Sequence, residues 1–282
     1  MAISFNPLKS VKNATNSVAN KASNSTVATT ASAKQNNTLS SRNVDSYSAG
    51  NTNAPPKAGQ APSPSPSRPE LQNILQDYQV KEDRMVDWRP NLGPIPIRLP
   101  MDSRRMTSTE AALLDKLGTQ RGLLGLKAFS DIHDQAFEVA DKKYPVPDGE
   151  DVGRWQNDGH NDAFRHAYWS ALLTKEFGAE WAEQFTTAHE GVPGNQSTRE
   201  AMDLYNNEVG RQIALDNPNA SKKELANLIE QAITDGKMVV INAEGNLDWS
   251  NNVPLGQHGS GNGAPVFDAK IDIPDGKANT KS

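Results

Sequence analysis

Three clusters of ionisable and amide side chains crowd residues 157–211 of the chain. The first is Asn161-Asp162-Ala163-Phe164-Arg165-His166-Ala167-Tyr168-Trp169 and the second is His189-Glu190. The third is Met202-Asp203-Leu204-Tyr205-Asn206-Asn207-Glu208-Val209-Gly210-Arg211. Three of the five histidines, His160, His166 and His189, lie in this stretch, which makes it the place to look for proton or metal chemistry. An Asp that accepts an imidazole N–H fixes the tautomer of the ring and raises its basicity, so Asp162 beside His166 suits a general base or a metal ligand. Arg165 offers a planar fork of donors for a phosphate or carboxylate. His189 and Glu190 offer a second acid/base or ligand pair. Asp203, Asn206 and Asn207 are poor choices for a helix interior but good oxygen ligands for a cation, or donors that position a polar substrate. The candidate catalytic set is therefore Asp162, Arg165, His166, His189 and Glu190, with Asp203, Asn206 and Asn207 binding substrate or a divalent cation.

Each cluster also has a plainer structural reading. Asp162 and Arg165 are spaced for an i, i+3 ion pair that buttresses a helix. A histidine in the last turn of a helix gains from the helix dipole whatever else it does. Asp203, Asn206 and Asn207 could be interhelical hydrogen-bonding groups that fix register. A zinc site built from His166, His189 and a carboxylate is conceivable, but no HExxH or other tight ligand spacing specifies a metal. His133 reads as an ordinary helix residue and His258 as a surface loop residue. No GxSxG elbow, phosphate-binding loop or dinucleotide fingerprint is present.

The elements that must carry these groups follow from periodicity. At 100° per residue Asp162, His166, Trp169 and Leu173 share one stripe, with Arg165 beside it. Phe164, Tyr168, Ala171 and Leu172 form a second, so a helix over 161–177 should be largely buried. Asp203, Asn206, Asn207 and Gly210 share one face of another helix. Met202, Tyr205, Val209 and Ile213 line its neighbouring face. Gly210 is costly inside a helix, and close approach of a neighbouring helix or a ligand is a reason to keep it. Two helices that each set a polar stripe beside an apolar one suggest two walls of one pocket.

Around this pair the sequence predicts a mainly α fold: a compact bundle of about five or six helices with a small C-terminal β-hairpin, behind a long disordered N-terminal region. A short helix near 69–78 comes first. Thr107-Ser108-Thr109-Glu110 has capping-box spacing and opens a helix ending near Gly118, with another over 123–142. Residues 151–160 read as a polar loop. A helix over 179–190 closes at Gly191 and Pro193. Ser197-Thr198-Arg199-Glu200 and Ser221-Lys222-Lys223-Glu224 are further capping boxes, and residues 238–249 make a hairpin.

Composition divides the chain. Residues 1–68 hold seven basic side chains against Asp45 alone, a charge of +6, which leaves −11 on the rest of a chain whose net charge is −5. This segment is rich in Ser, Asn, Thr and Ala and ends in Ala61-Pro62-Ser63-Pro64-Ser65-Pro66-Ser67. It cannot bury enough apolar surface to offset its ordering entropy. We divide the chain into a disordered leader and Pro/Ser-rich linker (1–68), an extended transitional segment (69–104), an α-helical domain (105–250) and an irregular tail (251–282). No apolar run suits a cleavable signal or a membrane span. Sparse charge without interleaved aromatics argues against nucleic-acid binding by the leader. With no cysteine, thiolate metal sites, disulfides and a cysteine nucleophile are excluded.

The ordered set Asp162-Ala163-Phe164-Arg165-His166-Ala167-Tyr168-Trp169, Thr187-Ala188-His189-Glu190 and Met202 to Arg211 resembles a little-characterised family of small α-helical bacterial domains. These sit at the C-terminal end of secreted and polymorphic-toxin-like proteins. The likeness spans about residues 155–215. It implies an exported effector or toxin with an Arg-His/His-Glu/Asp-Asn-Asn centre, and it implies no substrate. The leader is similar in composition to the uncleaved leaders of type III effectors, which would engage secretion machinery or a chaperone. The expectation is a secreted effector with a hydrolase domain acting on a phosphoester, lipid or cell-envelope substrate, with an immunity protein or host target as its partner. The alternative is a non-enzymatic effector that binds a target through its acidic helical domain. A phage or housekeeping structural protein with a flexible arm is a third reading.

Overall fold

The computed structural model describes residues 68–90, 103–265 and 269–272. Residues 1–67 of the expected leader and residues 266–268 and 273–282 of the expected tail lie outside the described residues. In chain order the elements are α1 (Leu71–Asp77), β1 (Met85–Trp88), β2 (Arg104–Thr107), α2 (Ser108–Lys143), α3 (Val152–Trp155), α4 (His160–Phe177), α5 (Ala179–Glu190), α6 (Ser197–Asp216), α7 (Lys222–Thr234), β3 (Val239–Ile241) and β4 (Leu247–Trp249). The fold is mainly helical, and β3 and β4 pair antiparallel as the C-terminal hairpin. A second antiparallel pair joins β1 to β2, with Met85 opposite Thr107, inside the segment expected to be merely extended.

α4 is the buried centre. Phe164, Tyr168, Leu172 and Leu173 have almost no exposed surface, as a helix apolar on two sides requires. Phe129 of α2, Trp169 of α4 and Trp181 and Phe185 of α5 pack into one aromatic wall, with Trp181 and Phe185 stacked at 5.1 Å and 14°. α6 lies directly against α4. A Cβ at Gly210 would stand 2.0 Å from the carbonyl oxygen of Ala167, so the two backbones meet where only glycine fits. His166 faces Asp203, and Ala167 meets Gly210 two turns further along α6. α5 runs antiparallel to α4, with Glu190 near His166 and Trp181 against Phe177, and antiparallel to α6, with Glu183 near Arg211 and Glu190 toward Asp203, so α4 and α6 run in the same direction.

Local signals set most boundaries. Thr107 caps α2, its side chain accepting from the Glu110 N–H at 3.2 Å, while the Glu110 side chain accepts from the Thr107 N–H at 2.7 Å. Ser221 and Glu224 do the same for α7. Four expectations need correction. The break in the first long helix falls at Gly122 (φ 63°, ψ −157°), a backbone region open to glycine, whereas Gly118 stays helical and buried. The capping box expected at Ser197 does not form. Ser197 is already the first helical residue, and Glu200 turns outward from the helix start to accept from the Val80 N–H. Residues 151–160 are not all loop, because the Asp151 side chain caps the short α3 through the Arg154 N–H at 2.7 Å. His258 is buried, not a surface residue, its Nε2 lying 3.0 Å from the Arg154 carbonyl oxygen.

The transitional segment docks on the bundle. The Tyr78 hydroxyl donates to Glu208 at 2.7 Å and the Gln79 amide donates to the Ser197 carbonyl at 2.8 Å, both on α6. No described helix is long and apolar enough to cross a membrane.

Candidate functional site

Packing α4 against α5 and α6 brings the three sequence clusters together. His166 stands at the junction. Its Nε2 lies 3.4 Å from Asp162 Oδ1 on the same helix and 3.6 Å from Asp203 Oδ1 on α6. Its Nδ1 lies 3.7 Å from Glu190 Oε1 at the end of α5. Arg165 donates to Asp162 and stacks its guanidinium over the Phe137 ring at 4.7 Å. His189 sits at the rim, its ring 6.4 Å from that of His166 and 5.2 Å from that of Trp169. Asp162, His166, Glu190 and Asp203 are buried, whereas the His189 side chain keeps 42% of its surface exposed.

The two asparagines diverge. Asn206 donates to the Val239 carbonyl at 2.9 Å and accepts from the Val239 N–H at 3.1 Å. Its amide is committed to holding β3 against α6 and is not available to a substrate. Asn207, one turn beyond Asp203 on the polar face of α6, has no exposed surface, and neither polar atom of its side chain has a partner. Buried polar atoms are nearly always paired, so each exception calls for an explanation. Seven of the thirteen unpartnered side-chain atoms among the described residues belong to Arg165, His166, Trp169, Glu190, Asp203 and Asn207. More than half of the deficit falls in this centre.

Charge sets the protonation pattern. Burial alone would raise the Asp162 carboxyl, but the Arg165 guanidinium and His166 outweigh it and hold the group well below the usual carboxylate range. Burial pushes the Asp203 carboxyl up, and the like charges of Asp162 and Glu190 push it further. For His189 burial favours the neutral ring, yet the charge of Glu110, its hydrogen bond at 2.8 Å and the charge of Glu190 win. The imidazole is raised to about 9 and is a cation at neutral pH. The centre thus sets an ionised carboxylate, a proton-retaining carboxyl and a cationic imidazole around His166.

Three supporting residues were missed by sequence reasoning. Glu110 reads in the sequence as a capping residue only, yet its second oxygen holds His189. Asp158 adopts φ 68°, a conformation Asp tolerates better than most residues. Its N–H donates to Asp162 Oδ2 at 2.6 Å, and its carboxylate receives Arg199 in a two-pronged pair at 2.7 and 2.5 Å. Asp158 is a polar residue in a left-handed turn just before the helix start, and that is the only signal the sequence carries for it.

Residues 117–237 match the family model described as "Domain of unknown function (DUF6973)", less than half of the chain. The match contains all three clusters. No curated protein and no solved structure matches the chain.

Proposed function

We propose that this centre belongs to a hydrolase carried by an exported effector, acting on a phosphoester or lipid head-group bond, with a cell-envelope bond next in order of chemical fit. The observation that carries the reading is the convergence of His166 with three carboxylates from three helices, beside an arginine and a cationic histidine. In this arrangement the His166 and carboxylate group activates water. The guanidinium of Arg165 balances the charge that develops on the attacked centre. His189, held in its protonated form by Glu110, supplies the proton to the leaving oxygen from the exposed rim. The leader, similar in composition to type III leaders, serves export.

The test is expression of the full chain and of its His166→Ala variant in a bacterial host, directed separately to the cytoplasm and the periplasm. Growth arrest by the parent chain in one compartment, absent for a variant that accumulates to the same level, is the expected result. Harmlessness of both chains in both compartments removes the reading. One observation favours the second reading, a binding effector whose polar centre is internal scaffolding. Asp162, His166, Asp203 and Asn207 lie almost wholly below the surface. Retention of target binding by a His166→Ala chain would support it.

A further inference from the structure

We propose that Asp162, His166 and Asp203 form a binding site for one divalent first-row transition cation. Each offers one ligand atom, and the three atoms lie within 4.8 Å of one another. The separations from His166 Nε2, 3.4 Å to Asp162 Oδ1 and 3.6 Å to Asp203 Oδ1, match the edges of a coordination tetrahedron. Bonds of about 2.0–2.2 Å from such an ion to imidazole nitrogen and carboxylate oxygen set ligand pairs roughly 3.3–3.6 Å apart.

The surrounding atoms point the same way. Asp203 Oδ1 is buried and has no hydrogen-bond partner although it faces His166. A ligating histidine characteristically directs its second ring nitrogen at a carboxylate, and Glu190 Oε1 lies on that side of the ring, 3.7 Å from Nδ1. The amide of Asn207, one turn beyond Asp203 on the same helix face, is buried and without a partner. Arg165 does not block the site, since a carboxylate oxygen has room for both a guanidinium N–H and an ion. The imidazole selects against calcium and magnesium, which take oxygen ligands, and in favour of zinc or a similar late first-row ion such as cobalt.

The site concerns the same centre as the hydrolase reading but does not need it. The experiment uses the purified full chain, stripped with chelator and titrated with zinc or with cobalt(II) as a visible probe. One ion per chain is expected, with a cobalt spectrum typical of nitrogen and oxygen ligands. His166→Ala and Asp203→Asn should each weaken binding by about 100-fold or more, and Glu190→Gln by about 10-fold. Glu200→Gln, which alters a buried carboxylate outside the set, should leave binding unchanged. Absence of binding to the parent chain, or binding equally tight in folded Asp203→Asn, overturns the proposal. Asp203→Asn is nearly isosteric, so it keeps the test decisive even where His166→Ala fails to fold. A bound ion without hydrolysis leaves this site standing and removes the hydrolase reading. Hydrolysis by a chain that binds no ion does the reverse.

Discussion

Asn206 and Asn207 are neighbours on α6, and neither has exposed surface. Asn206 spends both halves of its amide on the backbone of Val239, while Asn207 has partners for neither half. The same contrast separates the regions they belong to. Where α6 meets β3, and where Asp158 grips Arg199, buried polar groups are matched to one another with good geometry. Where α6 meets α4 and α5, carboxylates and an imidazole are brought close and left short of partners. A matched polar network rigidifies a fold, whereas an unmatched one costs stability and survives when it serves something else. The comparison marks the first region as scaffold, and the second is where we propose the chemistry.

Substitution should separate the two regions. The largest loss is expected from Asn206→Ala, which strands the N–H and carbonyl of Val239 in the core at about 1–3 kcal/mol each. Denaturant unfolding should show roughly 4 kcal/mol of destabilisation. A loss under about 1 kcal/mol would mean that the α6–β3 junction is not held by this amide. Gly210→Ala comes next, at about 3 kcal/mol, because the added methyl meets the Ala167 carbonyl and must push the helices apart. The same shift would separate Asp203 from His166.

Glu200 sharpens the comparison through pH. Burial, with the charges of Glu190 and Glu82, raises its carboxyl to about 8 despite the hydrogen bond from Val80. In the unfolded chain it ionises near the ordinary value of 4.5. Its folded form therefore holds the proton more tightly, so stability should fall as pH rises between about 5 and 8 and level off above that. Glu200→Gln should flatten that slope, by several kcal/mol across the window in thermal unfolding at several pH values. An unchanged slope would place the titration elsewhere. The smallest effect, and one of opposite sign, is expected at Asp203→Asn. Replacing a carboxylate buried between Asp162 and Glu190 with a neutral amide should leave the chelated protein as stable or more so, by up to about 1 kcal/mol. Destabilisation by several kcal/mol would show that Asp203 is scaffold after all.

Periodicity carried most of the fold. The stripes on α4 and α6 and the boxes at Thr107 and Ser221 are local signals, and they appear where the sequence places them. Two failures came where tertiary contact overrode a local signal or left none. Glu200 fits a capping box in sequence, but the chain at Val80 claims its carboxylate. The β1–β2 pair is a contact between segments some twenty residues apart, invisible to a periodicity argument. In the candidate site, polar side chains at helical spacing showed which residues share a face. They could not separate Asn206 from Asn207, because that difference depends on which backbone lies opposite. Nor could they bring in Glu110, whose role at the site depends on a helix end arriving beside it.

Glu110 joins two jobs in a single carboxylate. One oxygen ties down the first turn of α2 and the other holds the ring of His189, while Thr107 donates to the Ala188 carbonyl beside it. Any molecule that draws His189 outward therefore pulls on the start of α2. Occupancy of the centre should be audible at that helix end, as faster exchange of the Thr107 amide proton with solvent.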